Sequence, residues 1–196
     1  MCDEEQVYRQ IRKFVKGKAE TLRFYNKNKD KSIDIVTSIE SIYREVAVHN
    51  TIGLFKTDIG LTVDERSLRV ELISVGDRDD DIMAEIMATV AFEIMDSGSC
   101  YRGKIYKNAV TVYDATYDAK HIILLDPVFW EYEPLKVEDY IITWLLLIPI
   151  SNEELRFLEE NGIPAFEELL SEQSTDITNR KRKSILIDSM PKNEYN

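Results

Sequence analysis

The chain contains few of the residues that build disulfide frameworks, metal clusters or histidine-based catalytic sites. Its 196 residues include two cysteines, Cys2 and Cys100, and two histidines, His49 and His121. Two cysteines without a metal-type pairing predict neither a disulfide scaffold nor a zinc module, and they fit a reducing cytoplasm. The N-terminus lacks a basic segment followed by an apolar one, so we expect no secretory signal. No motif predicts a cofactor or a bound metal.

Long apolar runs and an excess of basic residues are also missing. The longest apolar run, residues 140–150, is too short to span a bilayer, so we expect no membrane association. The chain has 36 Asp and Glu against 25 Lys and Arg, a net charge of -11. This balance disfavours a nucleic-acid partner, because a phosphate backbone attracts a basic surface. Disorder is not expected, since 44% of the residues are hydrophobic and can form a core.

The acidic residues are concentrated in the middle of the sequence. Residues 33–179 hold 29 Asp and Glu against 11 Lys and Arg, whereas residues 1–32 and 180–196 are both net basic. An acidic body favours a basic protein partner through electrostatic complementarity. We therefore expect a cytoplasmic, globular, acidic protein with basic ends.

The hydrophobic pattern predicts one α+β domain over residues 1–196, with a mostly antiparallel sheet and helices packed on its faces. An amphipathic helix is expected within residues 1–20, and a second helix from Asp79 to Met95 whose methionine stripe we interpret as core. Ser151 and Glu154 match a capping box, so a third helix begins there, ends at Gly162 and is followed by a fourth. The predicted strands, the first four as a meander, are 22–25, 33–36, 46–52, 68–73, 109–113, 121–125 and 140–148. We expect a flexible tail over 188–196.

No established catalytic motif is present: the chain has no Walker loop, dinucleotide-binding glycine fingerprint, kinase set or nucleophile elbow. His121 lies in an apolar strand, where a structural histidine is the commoner case, and His49 lies near a strand end. We predict that the chain is not an enzyme, while an unrecognised site around either histidine stays open as an alternative. Asp77 and its acidic neighbours lack the ligand spacing of a calcium loop, and acids suit the positive start of a helix.

Three acidic or aromatic segments are candidates for binding a partner. The aspartates before the second helix and the glutamates of the late helices form local negative fields. Residues 129–133 interleave aromatics with acids, as interface hot spots do, although these aromatics could equally fold back onto the core, Trp130 above all. The candidate partner-binding residues are Asp79, Asp80, Asp81, Phe129, Glu131, Tyr132, Glu133, Glu159 and Glu160.

Several short segments follow one another as in a known family. A buried strand ends in Pro-Ile-Ser at residue 151, and a helix, a glycine, a second helix, an Asp and an Arg-x-Ser segment follow it. The central segment 69–72 and the loop 126–130 are similar as well. The residues that carry the order are those of 144–151, then Glu154, Gly162, Phe166, Leu169, Asp176 and 182–186. From about residue 22 onward, the chain resembles the suppressor-of-fused domain family, whose fold it is then expected to share.

Within that family the chain is similar to the short bacterial members, which act as immunity proteins, or antitoxins. The resemblance implies a cognate toxin as partner, a nuclease with an LXG-type delivery domain, whose basic active-site surface the acidic chain would occlude. The animal members are longer and bind a transcription factor. A regulatory module that sequesters another protein is therefore the alternative function. The family contributes no catalytic residue and no cofactor.

Overall fold

The computed structural model describes residues 4–39, 45–79, 82–130 and 132–185. Three candidate residues, Asp80, Asp81 and Glu131, lie outside these ranges, and so does the predicted tail over 188–196. The bounds of the elements in chain order are as follows. They are α1 (Glu4–Phe14), β1 (Lys18–Tyr25), β2 (Ser32–Ile39), β3 (Val46–Ile52), a 3-10 turn (Leu54–Lys56), β4 (Thr62–Val63), β5 (Arg66–Asp77), α2 (Ile82–Ser97), β6 (Ile105–Tyr106), β7 (Ala119–Leu125), β8 (Leu135–Lys136), β9 (Tyr140–Ser151) and α3 (Asn152–Glu172).

The nine strands in the described part of the chain form one mixed sheet. Its order is β1-β2-β3-β5-β9-β7-β6, with β4 beside β5 and β8 beside β9. All pairs are antiparallel except β5 and β9, which run parallel because the whole of α2 to β8 connects them. The predicted α+β class and the predicted meander of the first four long strands are confirmed.

The sheet is covered on both faces, and each face has its own core. Helix α2 packs on one face, where Met83, Ile86, Met87, Val90 and Ile94 are all at most 1% exposed. The interpretation of this stripe as core is confirmed. Helices α1 and α3 pack on the other face around the side chains of β9 that point the opposite way, as alternation along a strand requires.

The predicted strand at 109–113 is wrong. Asn108 has a positive φ of 62°, and the backbone N–H groups of Tyr113 and Asp114 both donate to the carbonyl of Val110, which closes a local turn. The sequence resembles a strand because Val110 and Val112 are two residues apart, but Val110 is buried and Val112 is 77% exposed, whereas residues two apart in a strand share one face. The edge of the sheet is instead completed by β6, whose Ile105 and Tyr106 pair with β7.

The parallel strands β5 and β9 separate before they end. Their pairing stops at Ile73 and Leu146, after which β5 stays with β3 and β9 stays with β7. Strand β9 therefore continues through Pro149 to Ser151, beyond the predicted end at residue 148. Proline is tolerated here because its nitrogen and carbonyl point to the side that β5 has left, where the side chain of Arg182 donates to the carbonyl at 3.1 Å.

The start and the bend of α3 follow the sequence prediction. The Ser151 hydroxyl accepts from the backbone of Glu154 at 3.1 Å, and the Glu154 carboxylate accepts from the backbone of Ser151 at 2.9 Å. Gly162, at φ 81°, interrupts the helix, and Pro164 lies in the first turn of the second half. The predicted capping box and the predicted division into two helices are both confirmed.

Candidate partner-binding site

A long groove opens where β5 and β9 separate, and we name it the split groove. One half, with a cavity volume of about 790 Å³, lies between β3, β9 and the second part of α3. The other half, of about 800 Å³, lies between the end of β5 and the segment 176–181. Glu45, Val46, Asp176 and Thr178 line both halves, so the groove is continuous. The groove thus lies beside the ends of β5 and β9, beyond the point where their pairing stops.

The first half of the split groove is apolar. Its floor contains Leu125 and Ile148, each 2% exposed, and its rim contains Val128, which is 67% exposed, and Phe129, which is 36% exposed. Exposed apolar side chains that border a cavity are typical of a binding surface. The remaining apolar lining residues are Val46, Leu170 and Ile177.

The second half of the split groove is acidic. It is lined by the carboxylates of Glu45, Asp77, Asp79 and Asp176, together with the bases Arg78 and Lys181. Asp176 is held in place because it accepts from the backbone N–H of Thr178 at 3.0 Å. Lys181 lies 5.9 Å from the ring of Tyr117. Among the residues that the structure describes, none of these four carboxylates forms an ion pair, and the four acids outnumber the two bases that line the cavity.

A buried ion pair fixes the segment that forms one wall of the groove. Glu154 is 0% exposed, and its carboxylate accepts from both terminal nitrogens of Arg182, from Nη2 at 3.0 Å. It also accepts from the backbone N–H of Ile185 at 3.0 Å, and the hydroxyls of Ser151 and Ser184 are hydrogen-bonded at 3.0 Å. Opposite charges with this many hydrogen bonds compensate for the loss of hydration. The segment 176–185 is thereby attached to β9 and α3.

A second buried carboxylate, that of Glu71, lies within the parallel pair, in register with Trp144 of β9. It accepts from the hydroxyl of Thr51 and from the backbone N–H groups of Gly53 at 2.9 Å and Phe55 at 3.2 Å. Burial raises the pKa of Glu71 to about 8, against the opposing effect of these hydrogen bonds. Glu71 holds the 3-10 turn against the sheet and does not border the split groove.

Both histidines are buried and hydrogen-bonded. His121 is 4% exposed; its Nδ1 accepts from the backbone N–H of Asn108 at 2.9 Å, and its Nε2 lies 2.8 Å from Oδ1 of Asn152. His49 is 3% exposed, with Nδ1 2.9 Å from the hydroxyl of Thr37. These contacts give each ring a structural role, and neither ring lines the split groove.

The structure does not gather the predicted partner-binding residues into one site. Asp79 and Phe129 both line the split groove. Glu133 is exposed beside α1, where its carbonyl accepts from the side chain of Gln10 at 2.9 Å. Glu160 is exposed on α3, and Glu159 next to it pairs with Lys107 at 2.9 Å. The prediction for these residues stays untested, and of the candidates that the structure describes only Asp79 and Phe129 line the split groove.

Each of the two interpretations of the aromatic loop holds for some of its side chains. The ring of Tyr132 lies 5.3 Å from that of Trp144 and 4.7 Å from that of Phe14, so it packs inward. Trp130 also packs against the core, as the sequence suggested, whereas Phe129 stays at the rim of the groove.

Several groove residues were missed by the sequence analysis. Glu45 precedes β3, whereas Leu170, Asp176 and Ile177 come from the end of α3 and the segment after it, far away in the sequence. Sequence patterns predict strands and helices, but not where two parallel strands separate. The negative field expected of the late-helix glutamates is partly compensated, since Arg102 binds Glu167 at 2.6 Å and Lys107 binds Glu159.

Two features are absent from residues 4–39, 45–79, 82–130 and 132–185. No three His, Cys, Asp or Glu side chains there are grouped as metal ligands would be. No helix there has the length and apolar character needed to cross a bilayer.

Comparison with known proteins identifies the family. Residues 29–183 match the family described as Suppressor of fused protein (SUFU). The chain is also 33% identical over 173 residues to Immunity protein YqcF of Bacillus subtilis (strain 168), which covers 87% of this chain and 90% of that protein. The chain therefore belongs to the suppressor of fused family, and the resemblance predicted from the sequence is confirmed.

Solved structures support the same fold. A SUFU homologue from Neisseria gonorrhoeae FA 1090 matches with a TM-score of 0.72 at 17% identity, over 93% of this chain and 96% of that one. The Sufu-Fu complex matches with a TM-score of 0.67 at 10% identity, over 93% and 92%. Drosophila Suppressor of Fused matches with a TM-score of 0.57 at 11% identity, over 80% of this chain and 43% of that one.

Proposed function

We propose that this member of the suppressor of fused family is an immunity protein, which binds a cognate toxin and neutralises it. The observation that carries the proposal is the 33% identity to Immunity protein YqcF over most of both chains. The buried histidines fit this function, because an immunity protein needs a surface and no reactive group.

We further infer that the toxin is a nuclease, delivered by an LXG-type domain, and that the chain acts by covering its basic active-site surface. A nuclease must present cationic groups to hold phosphates. Residues 33–179 carry 29 acids against 11 bases, and Glu45, Asp77, Asp79 and Asp176 in the acidic half of the split groove form no ion pair with the described residues. An acidic inhibitor is attracted to such a surface and competes with the nucleic acid for it.

Co-expression tests the function directly. The toxin encoded by the reading frame adjacent to this chain's gene is expressed in a host cell with and without this chain. We expect growth only when the chain is present, and toxicity that persists in its presence would contradict the proposal. Adding the purified chain to the toxin's C-terminal domain should also abolish cleavage of a fluorescent DNA or RNA substrate. Protection without any nuclease activity in the toxin would retain immunity and reject the nuclease.

A regulatory module that sequesters another protein, such as a transcription factor, is the second candidate. The similarity in fold to the chain in the Sufu-Fu complex favours it, because that complex joins two proteins. A pull-down with the tagged chain separates the two functions. Recovery of the neighbouring toxin supports immunity, whereas recovery of a transcription factor without the toxin supports sequestration.

A further inference from the structure

We propose that the split groove binds a short amphipathic segment of the toxin, with an apolar side chain in the apolar half and a Lys or Arg in the acidic half. The inference rests on the proposed function, because it names how the toxin is recognised. This mode of binding differs from attraction by negative charge alone, since half of the contact would be apolar.

The apolar half supplies the anchor site. Val128 and Phe129 at its rim are exposed, and Ile148 and Leu125 beneath them are sheet residues that the separation of β5 and β9 leaves open to a cavity. Filling such a cavity with an apolar side chain removes apolar surface of both proteins from water.

The acidic half determines the charge of the neighbouring residue. Glu45, Asp77 and Asp79 are exposed, and no base in the described part of the chain pairs with them. The same cavity is lined by four carboxylates and by two bases, Arg78 and Lys181, so its net charge is negative and it attracts a cation more strongly than an anion. Charge complementarity therefore selects Lys or Arg.

The two halves constrain the order of the partner's residues. Val46 and Thr178 border both cavities, so a segment can pass from one to the other along the protein surface. We therefore expect the apolar anchor and the cation to be close in the toxin sequence.

The apolar and the charged contacts have separable kinetic effects. Charges that attract over a distance raise the association rate and are screened by salt, with a Debye length of about 10 Å at 0.1 M. Apolar contacts form only in the docked complex, so they slow dissociation and persist in high salt. A chain that binds by negative charge alone would lose its affinity for the toxin in 1 M NaCl, whereas binding in the proposed groove would keep part of that affinity.

The first experiment removes the anchor contact. Binding of the wild-type chain and of Val128→Ser to the neighbouring toxin's C-terminal domain is measured by surface plasmon resonance in 0.1 and 1 M NaCl. We expect roughly tenfold faster dissociation for Val128→Ser at both salt concentrations, from the loss of apolar contact. The control is Val112→Ser, because Val112 is 77% exposed and borders none of the cavities described here.

The second experiment reverses two charges. Glu45→Lys with Asp79→Lys should slow association roughly tenfold in 0.1 M NaCl and have little effect in 1 M NaCl. The control is Glu20→Lys with Glu138→Lys, an equal change of charge at exposed residues that do not line the groove.

The outcomes separate the inference from the function on which it rests. If the wild-type chain neither binds nor protects against the toxin, the proposed function fails. If it binds and Val128→Ser behaves as Val112→Ser does, the anchor is excluded while the function stands. If both charge-reversed pairs slow association equally, the overall negative charge attracts the toxin and the acidic half does not recognise a cation.

Discussion

Arg182 donates from both of its terminal nitrogens to the carboxylate of Glu154, which is completely buried. The same guanidinium donates to the carbonyl of Pro149, on the side of β9 that has lost its strand partner. The side chains of Arg182 and Glu154 thus take the place of the strand-to-strand hydrogen bonds that are missing where β5 and β9 separate. This explains in physical terms why the segments at 149–154 and 182–185 occur together in the sequence pattern that identified the family.

Glu154→Gln should therefore destabilise the protein strongly. The substitution leaves the guanidinium of Arg182 buried without its counter-charge, which costs about 3–5 kcal/mol of the free energy of unfolding. The control is Glu153→Gln, since Glu153 is half-exposed and its carboxylate lies 3.6 Å from Arg156, a surface pair worth about 0–1 kcal/mol. Urea unfolding followed by circular dichroism measures both variants. Equal midpoints for the two variants would contradict the role assigned to the buried pair.

The sequence predicts this region only in part. The capping box at Ser151 and the helix break at Gly162 are local features, so their residue types suffice to locate them. The ion pair joins residues 28 positions apart and the groove joins β3, β5 and the segment 175–181, and neither arrangement leaves a periodic pattern. The pattern at 109–113 predicts a strand although the segment forms a turn. An alternating pattern of apolar residues does not show whether a segment pairs with a neighbouring strand.

The stability contribution of Glu71 should depend on pH. Because burial raises its folded-state pKa from 4.5 to about 8, the folded state binds the proton more tightly than the unfolded state. Its contribution is fully present below pH 4.5 and is lost as the pH rises through 8, by up to about 1.4 kcal/mol per pH unit in between. Glu71→Gln cannot ionise, so the wild-type protein should lose stability relative to this variant from pH 5 to 8.

Urea unfolding at pH 5, 6, 7 and 8 measures this difference. The lowered pKa values of Asp30, Asp58 and Asp114 act at more acidic pH and are common to both proteins, so they cancel. Glu160→Gln serves as an exposed control. If the wild-type and Glu71→Gln curves run parallel over this range, the carboxylate is already ionised in the fold.

Gly103→Ala should destabilise the contact between the turn before β6 and the bend of α3. Gly103 has a φ of 90°, and an added Cβ would lie 2.1 Å from Cδ1 of Ile163. We expect a cost of about 2–4 kcal/mol from positive φ and overpacking together. Gly60→Ala is the control, because Gly60 has a φ of 70° and no atom within 4 Å of the added Cβ, so it reports the backbone strain alone.

The clash can be isolated by a double substitution. Ile163→Val removes the Cδ1 atom, so it should recover part of the stability that Gly103→Ala loses. A double-mutant cycle measured by thermal unfolding gives the coupling energy. Additive effects of the two substitutions would show that the strain at Gly103 comes from the backbone and not from Ile163.

His121 should contribute to stability and not to neutralisation of the toxin. Its Nδ1 satisfies the backbone N–H of Asn108, so His121→Ala leaves that donor without a partner and opens a cavity, at a cost of about 2–4 kcal/mol. His121→Asn keeps a side-chain acceptor and should cost less. Once the variants are expressed to equal folded amounts, both should protect cells from the toxin as the wild type does, and His49→Asn should as well. Loss of protection by a folded histidine variant would instead revive the possibility of a catalytic site, because no histidine ring borders the split groove.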